Sequence, residues 1–125
     1  MEKARKLLTK KFNKNTAVIK NLRDHVFDTK SYLLLKDTLI FKECYNLEII
    51  IDSTINRLEF IKCKNIQIKV NKLIAGLNVE KCDNIKLTSQ KINSVTISKS
   101  YNITLEIDED VYLKDSFDSK KVHYL

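Results

Sequence analysis

Proline is absent from this chain of 125 residues, and glycine occurs once, at Gly76. Turns must therefore be made by Asn, Asp, Ser and Lys, and a glycine-rich phosphate-binding loop is excluded. The two histidines, His25 and His123, stand at opposite ends of the chain, which argues against a His-based triad or metal cluster. No apolar run reaches the ~18 residues of a membrane span. The N-terminal MEKARKLLTKKF also lacks the apolar segment of a signal peptide. The expectation is a soluble cytoplasmic protein. Cysteine is scarce: Cys44, Cys63 and Cys82 are odd in number and nineteen residues apart, unlike a CxxC zinc site or a secreted disulfide framework. They read as buried thiols, with no metal and no cofactor expected. Asp108, Glu109 and Asp110 form one acidic cluster, but adjacent carboxylates at a strand end mark a turn more often than an acid/base pair. The chain reads as non-enzymatic.

What is present is a repeated phrase. FKECYNLEI at 41–49 returns as FIKCKNIQI at 60–68, VEKCDNIKL at 79–87 and ISKSYNITL at 97–105. Aligned, the phrases give apolar columns Leu39, Leu58, Leu77, Val95 and Phe41, Phe60, Val79, Ile97. They continue with Leu47, Ile66, Ile85, Ile103 and Ile49, Ile68, Leu87, Leu105, and a further column of Ile55, Ile74 and Ile92. Cys44, Cys63, Cys82 and Ser100 form one marker column, and Asn46, Asn65, Asn84 and Asn102 form another. The steps are 19, 19 and 18 residues.

Within each unit apolar and polar residues alternate, so the period is that of a strand. A leucine-rich repeat would return through a helical or irregular segment; here the return is β-branched. Two strands and two corners per 19 residues describe one coil of a parallel β-helix, a solenoid whose stacked inward side chains bury one another only when every coil repeats the pattern. Cys suits the corner because it is small and readily buried. Asn suits it because it tolerates left-handed backbone and can bond the Asn of the next coil.

The net charge of +7 is mostly N-terminal: residues 1–30 hold nine Lys/Arg against three Asp/Glu, and residues 31–125 hold fourteen against thirteen. This divides the chain into a basic segment, 1–30, and a β-helix domain, 31–125. Leu8, Phe12, Ile19, Leu22 and Val26 lie at roughly helical spacing, so the segment reads as a short helical cap or a loosely ordered basic arm. A basic arm could contact nucleic acid. Tyr32, Leu33 and Leu35 suggest an earlier imperfect strand. Val111, Tyr112 and Leu113, with Val122, Tyr124 and Leu125, suggest a last rung or a strand for a partner chain. An open solenoid end invites self-association, so a homodimer is expected.

The C-x-N corner between alternating strands, carried by TLIFKECYNLEIIIDSTINRLEFIKCKNIQIKV and KINSVTISKSYNITLEI, resembles the C-terminal domain of cyclase-associated protein from about Leu33 to Leu113. The resemblance implies a right-handed parallel β-helix that binds monomeric actin, helps recharge it with ATP, and dimerises by exchanging a C-terminal hairpin. The related tubulin-folding cofactor C domain presents a catalytic arginine in a Q-x-R setting; Arg57, in TINRLEF, lacks that setting, so a GTPase-activating role is not expected.

Strand alternation turns the neighbours of the Cys column outward: Glu43, Lys62, Lys81 and Lys99 before it, Tyr45, Lys64, Asp83 and Tyr101 after it. The lysines Lys62, Lys64, Lys81 and Lys99, with Tyr45 and Tyr101 at the ends, form a basic ridge able to steer an acidic partner such as actin, or simply a solvated corner. Two further functional classes stay open: an assembly scaffold that joins other copies, for example in a parasite or virus, and nucleic-acid binding through residues 1–30.

Overall fold

The alternating phrases become strands whose pairing is parallel throughout the described residues. The computed structural model describes residues 16–28, 38–108, 112–113 and 122–124. In chain order the strands are β1 (Thr16–Lys20), β2 (Arg23–Asp28), β3 (Thr38–Lys42), β4 (Tyr45–Ile61) and β5 (Lys64–Glu80). They continue with β6 (Asp83–Ile92), β7 (Ser94–Ser98), β8 (Tyr101–Ile107), β9 (Tyr112–Leu113) and β10 (Val122–Tyr124). Together they form a parallel β-solenoid of about four turns.

The register reproduces the sequence columns. Leu39 pairs with Leu58, Leu58 with Leu77 and Leu77 with Val95; Phe41, Phe60, Val79 and Ile97 follow two residues later. On the second face Leu47, Ile66, Ile85 and Ile103 are in line, as are Ile49, Ile68, Leu87 and Leu105. All of these are buried. Parallel in-register stacking explains the repetition, because each inward residue rests on its equivalent about 4.8 Å below.

One column is corrected. Leu73, not Ile74, pairs with Ile55 and Ile92, and it is 1% exposed where Ile74 is 57% exposed. The physical reason is where each coil accommodates its extra residue. Four positions separate Ile51 from Ile55, against three from Val70 to Leu73 and from Ser89 to Ile92. The coil that begins at Cys63 takes its extra residue later, between Leu73 and Leu77, and the coil from Cys82 to Ser100 takes none and is 18 residues long. Counting 19 from Ile55 therefore lands one residue late.

The helical reading of the N-terminal segment is also corrected over residues 16–28. Ile19 and Leu22 point into the solenoid and are fully buried, whereas Val26 is exposed. β1 pairs with β3 and β2 with β4, so this stretch is a rung of the sheet. Leu22 takes the Cys position and Asp24 the Asn position of an additional corner: the Tyr45 N–H donates to Leu22 O at 3.0 Å, as Lys64 N–H does to Cys44 O. Leu8 and Phe12, and the strand expected around Tyr32, Leu33 and Leu35, lie outside the described residues. At the other end β9 and β10 pair with β7 and β8 of the same chain, the last-rung reading; Val111 and Leu125 lie outside the described residues.

The three cysteines are free and buried, and they are more than small apolar filler. The Cys63 thiol donates to Phe41 O at 3.2 Å and Ile61 O at 3.4 Å, and Cys82 donates to Phe60 O and Glu80 O. In return the Cys63 N–H donates to Cys82 Sγ and the Cys82 N–H to Ser100 Oγ at 3.1 Å. Each corner thus feeds the next a donor and an acceptor, which is why a hydroxyl serves at Ser100. Hydrogen bonds with the Cys44 and Cys82 thiols, reinforced by burial, hold the Cys63 thiol well above its ordinary value of 9.0.

An unfolded thiol ionises near that value while the folded Cys63 keeps its proton, whereas hydrogen bonds with Cys63 hold Cys44 and Cys82 below it, so their contributions run in the opposite sense. The Cys63 contribution to stability is complete below about pH 9 and declines as pH rises beyond it. Thermal melts from about pH 8 to about pH 10.5 should therefore lose stability more steeply with pH in the parent than in Cys63→Ser. Equal slopes in the two proteins would contradict this origin. In the same range, native protein should alkylate slowly and unfolded chain at all three thiols.

Candidate interaction surface

Each repeat turns its first corner with two residues of positive φ. The first precedes the Cys position: Asn21, Glu43, Lys62, Lys81 and Lys99, with φ between 51° and 60°. The second follows it by two: Asp24, Asn46, Asn65, Asn84 and Asn102, with φ between 50° and 62°. Reversing the backbone twice turns the intervening residue inward and returns the chain to extended geometry on the next face.

The Asn column forms a side-chain ladder on the surface. The amide of Asn84 donates to Asn65 Oδ1 at 2.8 Å, Asn65 to Asn46 Oδ1 at 3.0 Å, and Asn46 to the Asp24 carboxylate at 2.9 Å. The top rung departs from this pattern, because Asn102 donates to Asp83 Oδ1 at 3.0 Å instead of to Asn84. The ladder expected from the sequence therefore runs through Asn46, Asn65 and Asn84 and ends on a carboxylate below.

The ridge residues fall into two parallel columns on either side of the buried Cys column. Lys62, Lys81 and Lys99 follow Glu43 in one, all exposed. Tyr45, Lys64, Asp83 and Tyr101 form the other, aligned by the pairing of Tyr45 with Lys64, Lys64 with Asp83 and Asp83 with Tyr101. Tyr101 is 49% exposed. Tyr45 is half-buried because Arg23 lies over its ring, with the guanidinium carbon 4.7 Å from the centroid. Arg23 thus extends the second column by one rung. Sequence reasoning missed it because its corner carries Leu22 and Asp24 in place of Cys and Asn, and precedes a coil three residues longer than the next.

Arg57 lies on the other face of β4, where it meets Glu59 at 3.4 Å. His25 is half-buried in β2, in register with Leu47, and His123 in β10 is in register with Thr104. Of the acidic cluster only Asp108 falls among the described residues. Among the described residues no group of three or more His, Cys, Asp or Glu could hold a metal ion. No helix among them is long and apolar enough to cross a membrane.

The described residues thus form a parallel β-solenoid with a polar, lysine-rich corner. Residues 14–116 match the family model described as adenylate cyclase associated (CAP) C terminal, and the chain belongs to that family. The crystal structure of cyclase-associated protein from Cryptosporidium parvum is similar in fold, with a TM-score of 0.76 at 18% identity over 92% of this chain and 75% of that one. No curated protein matches the chain in sequence.

Proposed function

We propose that this chain is a non-enzymatic, cytoplasmic binding module for monomeric actin, contacting it through Lys62, Lys64, Lys81, Lys99, Tyr45 and Tyr101. The observation that carries the reading is membership of the CAP C-terminal family across the repeats, joined to a basic, partly aromatic corner. Lysines presented from stacked rungs raise the encounter rate with an acidic surface, and exposed tyrosine supplies contact area at low entropic cost. The Arg23–Tyr45 stack keeps one of those rings oriented.

Sedimentation velocity of the protein with ADP-actin monomers, at low and at physiological salt, tests the reading. The expected result is a complex at tens of micromolar protein that weakens as salt rises, because exposed charges act within a Debye length of about 10 Å at 0.1 M. No complex at low salt would overturn it. The protein-alone run reports whether the chain forms the homodimer expected of an open solenoid end.

A further inference from the structure

The two positive-φ columns of the corner are filled by different rules. The second carries only Asn or Asp on all five rungs, the residues that tolerate left-handed backbone best after glycine. The first carries Asn on the lowest rung, at Asn21, but Glu43, Lys62, Lys81 and Lys99 on the four above, at φ of 51° to 55°. Lysine has no local hydrogen bond to offer a left-handed turn. A cheaper residue for this geometry is in use one rung below and three positions along. A need for solubility does not explain the choice, since lysine serves solubility at any exposed position, extended ones such as Lys64 included. Stacking also brings like charges about 4.8 Å apart per rung, within screening distance of one another. Among the described residues no carboxylate forms an ion pair with Lys62 or Lys81.

Backbone strain held at several equivalent surface positions points to a role for the side chains it carries. We infer that Lys62, Lys81 and Lys99 are a docking strip for an acidic helix lying along the solenoid axis. A helix rises 1.5 Å per residue, so carboxylates at i, i+3 and i+7 are displaced by about 4.5 and then 6 Å along its axis. Three rungs about 4.8 Å apart present ammonium groups at nearly the same interval. Glu43, one rung below, gives the strip a polarity that disfavours a fourth carboxylate at that end. The inference rests on reading the ridge as the contact surface and assigns the partner's local chemistry.

The test is the triple variant Lys62→Asn, Lys81→Asn, Lys99→Asn, with Lys64→Asn as the control at an extended position. Relief of strain should raise the Tm of the triple variant by roughly 4–8 °C, while the control stays within about 2 °C of the parent. The binding probe is a labelled alanine- and glutamine-based helical peptide with Glu at i, i+3 and i+7, read by anisotropy at low salt. It should bind the parent at least tenfold more tightly than it binds the triple variant. It should also bind better than the same composition with Glu at i, i+2 and i+5. A Tm that does not rise, equal binding by parent and variant, or indifference to Glu spacing would each overturn the inference. Peptide binding without an actin complex would retire the actin reading and leave the strip. An actin complex unaffected by the triple variant would do the reverse.

Discussion

Gly76→Ala is expected to destabilise the protein by about 3 kcal/mol or more, one of the largest effects available from a single methyl group here. Gly76 has φ of +148°, a conformation that residues with a side chain rarely adopt. The added Cβ would meet Ser94 O at 2.2 Å and Ser94 Oγ at 2.7 Å. Neither atom is free to give way. The carbonyl belongs to the backbone of β7, and the hydroxyl donates to Ala75 O at 2.9 Å, tying the two rungs together beside the glycine. This is where the coil from Cys63 absorbs its extra residue between Leu73 and Leu77, so the backbone cannot relax without shifting the register of β5 against β7. Thermal melts should show a Tm lower by roughly 10 °C or more. A loss of less than about 1 kcal/mol would mean that the rung above moves freely, contrary to the pairing described.

The second large effect is expected at Phe41. Its ring stacks on that of Phe60, with centroids 5.3 Å apart and planes at 16°, and meets the edge of Phe27 at 5.5 Å and 85°. All three rings are fully buried. Phe41 and Phe60 belong to one column, whereas Phe27 comes from β2, in line with Ile49 on the opposite face. Phe41 therefore joins the two walls of the solenoid near its N-terminal end. Phe41→Ala removes a ring that both walls touch, and the cost should be about 3–5 kcal/mol by denaturant unfolding. In a double-mutant cycle Phe41 and Phe60 should couple by about 0.5–1.5 kcal/mol. Additivity of the two single variants would show that the stack contributes nothing beyond area.

The two variants probe different parts of what the sequence encodes. The Phe41–Phe60 contact could be read directly, because residues 19 apart in a repeat of 19 must stack when strands are parallel and in register. The Asn column was legible for a local reason: a left-handed corner favours Asn wherever it occurs. The contact of Phe27 with Phe41 was not legible, since it crosses the interior between walls whose separation no spacing along the chain reports. Nor was the Arg23–Tyr45 stack, because its rung has lost both marker residues.

By itself the sequence determined the solenoid, its parallel register, the inward columns and the corner on which the lysines stand. A period-two pattern repeated at a constant step has one way to bury its apolar side chains. The tertiary structure alone decided how the irregularities are absorbed: Leu73 rather than Ile74 inside, Gly76 against Ser94, Asn102 turned to Asp83, and residues 16–28 as a rung rather than a helix. Each depends on which atoms the neighbouring coil presents. An isolated repeat carries that information nowhere, because an extra residue or a substituted corner is settled by pairing with the coil above or below.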